Sequence, residues 1–276
     1  MRRIAGIVLV FLAGALVMTG CSNNDNNEGN NTYQMGGSIQ GTSLSLSGVV
    51  TTIAGAPPPT PVSGFVDGTG TLARFNNPEN ITTDGTNIYV ADYANHAIRK
   101  IVIATGAVTT IAGAPPTNPI SGFADGTGAL ARFNNPDGIT TDGTNLYVAD
   151  IWNLAIRKVV IATGAVTTIA GAPPPTPVSG FVDDTGTLAR FAGPEGITTD
   201  GTNLYVTDTD NYGIRKVVIA TGVVTTIAGA RPPTPVSGFV DGTGTLARFD
   251  HPIGITTDGK NLYVGDTGNH AIRRIQ

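Results

Sequence analysis

The sequence predicts an all-β protein, a four-bladed β-propeller made of 58-residue repeats. Three observations predict it. Short phrases recur in strict register: Thr-Ile-Ala-Gly ends at Gly55, Gly113, Gly171 and Gly229, Tyr-Val-x-Asp at Asp92, Asp150, Asp208 and Asp266, and Ile-Arg at Arg99, Arg157, Arg215 and Arg273. A fixed period of this size marks one supersecondary unit stacked on copies of itself. Each repeat holds four β-prone runs joined by turn signals, which read as a meander of antiparallel strands. Finally, residues 45–276 number 232, four times 58.

The second repeat shows why each element forms. Gly138-Ile139-Thr140-Thr141 is a β-prone run, and Asp142-Gly143 is a tight-turn signal. Asn145-Leu146-Tyr147-Val148-Ala149 is the next strand, followed by a longer turn from Asp150 to Leu154. Ala155 to Ile161 is the third strand, Ala162-Thr163-Gly164 turns, and Ala165 to Ala170 is the fourth. No window has helical periodicity; Thr127 to Phe133 has room for one turn. The last repeat stops within its third strand at Ile275-Gln276, while a lone fourth strand, Val49 to Ala54, stands before the first repeat. The expectation is that this N-terminal strand closes the last blade, giving a monomeric ring without a free edge.

The string Asp-Gly-Thr-Gly-x-Leu-Ala-Arg-Phe-Asn-Asn-Pro-x-Gly-Ile-Thr-Thr-Asp-Gly-Thr-Asn-Leu-Tyr-Val-Ala-Asp, with Asn-x-Ala-Ile-Arg-Lys after it, resembles the NHL repeat. It occupies 125–158 and recurs with few changes at 67–100, 183–216 and 241–274. The resemblance implies a propeller, often six-bladed in that family, that binds proteins or other ligands; a few relatives are lyases or hydrolases. This chain has four repeats.

Residues 1–20 read as an export leader. Arg2 and Arg3 precede a 15-residue apolar run, Ile4 to Met18, shorter than the roughly 20 residues of a spanning helix. Met18-Thr19-Gly20-Cys21 resembles a bacterial lipoprotein signal, with Met18 where Leu is usual. The resemblance implies a lipid on Cys21 and an extracytoplasmic protein anchored to the cell envelope, at the outer membrane if the source has one. Cys21 is the single cysteine, so no intrachain disulfide forms. Residues 21–44 carry the Cys and an Asn-rich stretch too poor in apolar residues to pack, read as a tether. Losing Arg2 and Arg3 takes the formal charge from −4 to −6, which argues against a nucleic-acid partner.

Alternation of loops between two faces puts the near-identical Asp-Gly and Ala-Thr-Gly turns on one face. The copies differ on the other, at Tyr93-Ala94, Ile151-Trp152, Thr209-Asp210 and Thr267-Gly268, at His96, Leu154, Tyr212 and His270, and at the pair Asp250-His251. Loops tolerate neutral change, but aromatic residues dominate binding hot spots. The candidate binding residues are therefore Tyr93, His96, Ile151, Trp152, Leu154, Tyr212, His251 and His270, facing a protein or glycan ligand. The expected function is an exported, lipid-anchored binding scaffold rather than an enzyme. The alternative is a metal-dependent hydrolase or lactonase, which needs unlike acidic, Asn and His side chains around the channel. Channel positions are read as repeating fourfold, which argues against it. No metal site or cofactor is expected: the Asp92 series reads as turn caps, the Arg99 series as blade-to-blade braces, and Asp67-Gly68-Thr69-Gly70 lacks the ligand spacing of a calcium loop. The Pro runs at 57–59 and 173–175 read as stiff spacers.

Overall fold

A computed structural model describes residues 46–56, 61–115, 120–171 and 178–276. The leader, Cys21, the tether and the Pro runs at 57–59 and 173–175 lie outside the described residues. The rest is four antiparallel sheets arranged as a four-bladed propeller. Blade 1 holds β1 (Gly68–Thr69), β2 (Pro78–Thr83), β3 (Asn87–Asp92), β4 (Ala97–Val102) and β5 (Ala107–Gly113) in the order β1-β5-β4-β3-β2. Blade 2 repeats this with β6 (Gly126–Thr127), β7 (Pro136–Thr141), β8 (Asn145–Asp150), β9 (Ala155–Val160) and β10 (Ala165–Gly171). Blade 3 has β11 (Pro194–Thr199), β12 (Asn203–Asp208), β13 (Gly213–Val218) and β14 (Val224–Gly229). Blade 4 has β15 (Pro252–Thr257), β16 (Leu262–Asp266) and β17 (Ala271–Ile275).

Within the four repeats the predicted strands are present within a residue or two, but Val49 to Ala54 forms no strand. The tight turns work through their aspartates: Asp84 Oδ1 accepts from the backbone N–H of Thr86 (2.8 Å) and Asn87 (2.7 Å), and Oδ2 accepts from the Tyr89 hydroxyl (2.7 Å). Burial works against ionisation there, but these hydrogen bonds bring the Asp84 carboxyl down to about 2.

The second loop is held by a buried clamp in every blade. In blade 2, Asp150 Oδ2 accepts from Arg157 Nη1 (2.7 Å) and Asn153 Nδ2 (2.8 Å), and Oδ1 accepts from Asn134 N–H (2.7 Å). Arg157 also donates to the carbonyls of Arg132 (3.0 Å) and Ala124 (2.8 Å) and to Asp125 (2.8 Å). The guanidinium lies between the rings of Phe123 and Phe133, 4.6 and 5.2 Å from their centroids. The Asp92 series does not cap its own turn: in blade 2 the Asp150 carboxylate accepts from the side chains of Arg157 and Asn153 and from the backbone N–H of Asn134 on another segment, so it ties the loop to its surroundings. The Arg99 series is not a blade-to-blade brace: the partners of Arg99 are Val66, Asp67, Arg74 and Asp92, all in its own repeat. Burial pushes the Asp150 carboxyl up to about 6 against the pull of Arg157, leaving it mostly ionised at neutral pH.

The core lies between blades. Ile98, Ala91 and Ala112 of blade 1 pack on Phe133, Ile139, Leu146 and Val148 of blade 2. Blades 2 and 3 meet in the same way around Ile156 and Phe191, and blades 3 and 4 around Ile214 and Phe249. Each such large side chain, fully buried, stabilises by about 1.5–3 kcal/mol.

The expected closure is not made. The fourth sheet has three strands, and no core cluster joins blade 4 to blade 1 among the described residues. The segment expected to close it packs instead on blade 1, where Ala54 joins Ala73, Val90 and Phe75. Pairing of an N-terminal strand with β17 needs blade 4 and blade 1 side by side, whereas the main packing of the first strands runs from β2 to β7, β7 to β11 and β11 to β15.

Candidate functional site

The variable loops share one hydrogen-bonded geometry. Each starts with a one-turn 3-10 helix, Tyr93–Asn95, Ile151–Asn153, Thr209–Asn211 or Thr267–Asn269. Its Asn is tied to the clamp; Asn153 Nδ2 also donates to the Gly122 carbonyl at 2.7 Å. The next residue, His96, Leu154, Tyr212 or His270, is left-handed with φ of 53° in every copy. Such a conformation costs a non-glycine residue about 1–2 kcal/mol. The surroundings fix it through the 3-10 closing bond, His96 N–H to the Tyr93 carbonyl at 3.1 Å in blade 1.

Two of these residues reach the next blade. His96 Nδ1 accepts from Asn135 N–H of blade 2 (3.1 Å), which leaves the proton of the neutral ring on Nε2. Burial holds its pKa below the usual histidine value, in keeping with an accepting nitrogen. Tyr212 meets the His251 ring of blade 4 edge-on, with centroids 5.2 Å apart, and His251 Nδ1 lies 2.7 Å from Asp250 Oδ1. Between blades 1 and 2 the Trp152 indole N–H donates to the Tyr93 hydroxyl at 3.1 Å. Trp152 is 61% exposed. Ile151 and Leu154 are half-buried, so part of their apolar surface is packing; His270 is exposed at the free side of blade 4. Of the eight residues, His96 bonds the next blade, Tyr93 pairs with Trp152 and Tyr212 with His251.

The hub holds residues that sequence reasoning missed. A cavity of about 150 Å³ among the first strands is lined by Asn80, Asp137, Glu195 and Ile253 with neighbouring glycines and isoleucines. Asn80 Nδ2 donates to Asp137 Oδ1 at 2.6 Å. Burial, then the charges of Asp137 and Asp210, push the Glu195 carboxyl up to about 7 against the pull of His251. The reading that channel positions repeat fourfold is thus corrected: one strand position carries Glu79, Asp137, Glu195 and Ile253, and the next Asn80, Gly138, Gly196 and Gly254. The variation was visible in the aligned repeats, but only the packing of the first strands on one another shows that it falls at the hub. No group of three or more His, Cys, Asp or Glu with metal-binding geometry occurs among the described residues.

Fold and face together define a β-propeller that carries varied loops on a repeated frame. Its repeats are homologous to those of NHL repeat-containing proteins. The chain is 30% identical over 248 residues to NHL repeat-containing protein 2 of Gallus gallus, covering 77% of this chain and 33% of that protein. It is 29% identical over 234 residues to Protein SUPPRESSOR OF QUENCHING 1, chloroplastic, of Arabidopsis thaliana, covering 77% of this chain and 21% of that protein. The chain thus spans about a third or less of the length of these curated relatives. Among solved structures, an auxiliary nutrient binding protein from Bacteroides ovatus aligns with a TM-score of 0.43 and 19% identity, over 82% of this chain and 76% of that one. No family model matches the chain.

Proposed function

We propose that this protein is a binding module in which the rigid propeller frame presents the variable loop face to a protein or glycan partner. One observation carries the reading: an exposed tryptophan, oriented by a hydrogen bond to a tyrosine of the neighbouring blade, stands on the variable loop face. Aromatic side chains fixed before contact lose little entropy on binding, and Trp and Tyr are the commonest hot-spot residues. In a pull-down from envelope extract run beside the wild type, Trp152→Ala is expected to weaken partner capture by about 30-fold, the effect of removing a hot spot worth about 2 kcal/mol. Its unfolding midpoint should hardly move, because the ring is mostly in solvent. Undiminished capture by the variant would remove the face from consideration.

The same reading places the module outside the cytoplasm, held to the envelope by a lipid on Cys21 and lifted from the surface by the Asn-rich stretch that follows. The apolar run Ile4 to Met18 and the small residues Thr19 and Gly20 just before Cys21 support this. Cys21→Ser is expected to move the protein from the membrane pellet to the soluble fraction of lysed cells; a protein that still sediments with membranes is not held by that residue.

A further inference from the structure

The two ends of the arc carry complementary halves of an interface that the chain already makes three times. Ile98, Ile156 and Ile214 are fully buried against the blade that follows, but Ile272 at the same repeat position is 78% exposed. On the receiving side Ile139 and Ile197 are 6% and 7% exposed, but Ile81 is 65% exposed.

The polar contacts show the same incompleteness. Asp67 accepts from the backbone N–H and hydroxyl of Thr110 (3.1 and 2.9 Å), Asp125 from Thr168 (3.1 and 2.9 Å), and Asp183 from Thr226 (3.0 and 2.9 Å). Those threonines lie on β5, β10 and β14. Asp241, in the blade that lacks this strand, bonds only Arg273 among the described residues, and its side chain is 96% exposed where the others are 35–48% exposed. A groove of about 650 Å³ runs there beside β17, lined by Ile227, Asp241, Ile272 and Ile275 among others.

The strand that fits this groove is in the sequence. Gly48 to Gly55 reads Gly-Val-Val-Thr-Thr-Ile-Ala-Gly, identical to Gly222 to Gly229, and it puts Thr52 at the repeat position of Thr110, Thr168 and Thr226. The segment already sits before blade 1 as the last strand of a preceding blade would. A Cβ on Gly106 would stand 2.9 Å from the Ile53 carbonyl, as one on Gly164 would from Ile111 (2.6 Å) and one on Gly222 from Ile169 (2.8 Å). No described strand pairs with its other edge, and Val49 is 76% and Val50 94% exposed.

We propose that these edges meet between two copies of the chain. Residues 49–55 of the second copy add to β17 as the fourth strand of blade 4, Thr52 reaches Asp241, and blade 1 of the second copy covers Ile272 with Ile81. His270 then meets Asn77 across the junction as His96 meets Asn135 within the chain. Such a contact is heterologous and head-to-tail, and it ends only by closing into a ring. Two arcs make about eight blades, at the upper end of the known range. Main-chain pairing at a free sheet edge supplies the affinity, and the alternating side chains supply the register.

The register gives a direct test. Thr109, Thr167 and Thr225 face Lys100, Lys158 and Lys216 across the last two strands, so Thr51 of one copy faces Arg274 of the other. Full-length chains carrying Cys21→Ser are made with Thr51→Cys alone, Arg274→Cys alone, and both. Mild oxidation of a mixture of the two single variants, differently tagged, is expected to give the mixed disulfide as the main product. Light scattering of the Cys21→Ser parent should give twice the chain mass, which needs neither introduced cysteine. A double variant that cross-links only within one chain would show that the strand closes its own blade and would overturn the proposal. So would a single-chain mass at micromolar concentrations with no mixed disulfide.

Discussion

Replacing Arg157 by Met is expected to destabilise the propeller by about 3–5 kcal/mol at neutral pH, the loss that follows when one partner of a buried ion pair is removed. Asp150 would stay fully buried without its cation, keeping only the Asn153 and Asn134 donors. The loss should depend on pH with a defined sign. Burial already raises the Asp150 pKa in the folded protein to about 6, above the unfolded value, and removing the guanidinium raises it further. A carboxyl with a raised folded pKa penalises the folded state above its unfolded pKa and releases that penalty as pH falls. Urea midpoints of the variant should therefore approach those of the wild type between neutral pH and about pH 5. An equal deficit at both pH values would mean that lost packing between the phenylalanines, not an orphaned charge, sets the cost.

The second large effect is expected at the hub. A Cβ on Gly196 would run into the backbone carbonyl of Ile253, and one on Gly138 into that of Glu195. Backbone on both sides cannot retreat without separating the blades, so Gly196→Ala should cost at least the 1–3 kcal/mol of an overpacked core. The same change at Gly254 meets nothing within 4 Å. Thermal melts of the two variants should differ widely, and a large loss at Gly254 would mean that its side of blade 4 is covered in solution.

Much of this fold was legible in the sequence because its determinants are local. Asp142-Gly143 specifies its turn within five residues, by a carboxylate accepting from Thr144, Asn145 and Tyr147. The β-prone run Asn145 to Ala149, bounded by turn signals, needs no distant partner to be recognised as a strand. The varied face was found for the same reason, as differences in aligned loops. What was missed depends on packing between repeats. Glu195 and Asp137 look like ordinary polar residues at a strand start until the first strands come together. Ile151 and Leu154 stand with Trp152 among the candidate binding residues, but both are half-buried, and burial of this kind is set by packing that aligned loops do not show. The closing strand was assigned by counting, and counting carries no information on whether four blades curve enough to bring β17 to Val49.

The interblade core has a consequence for how the molecule comes apart. Blades 2 and 3 are sandwiched on both broad sides, whereas blades 1 and 4 each lean on one neighbour. In a linear array of this kind stability is a sum of unit and nearest-neighbour terms, so the end units open first and most often. Such an arc frays like a short zipper, and whatever seats on its free ends, a copy of itself included, sets its lifetime as well as its outline.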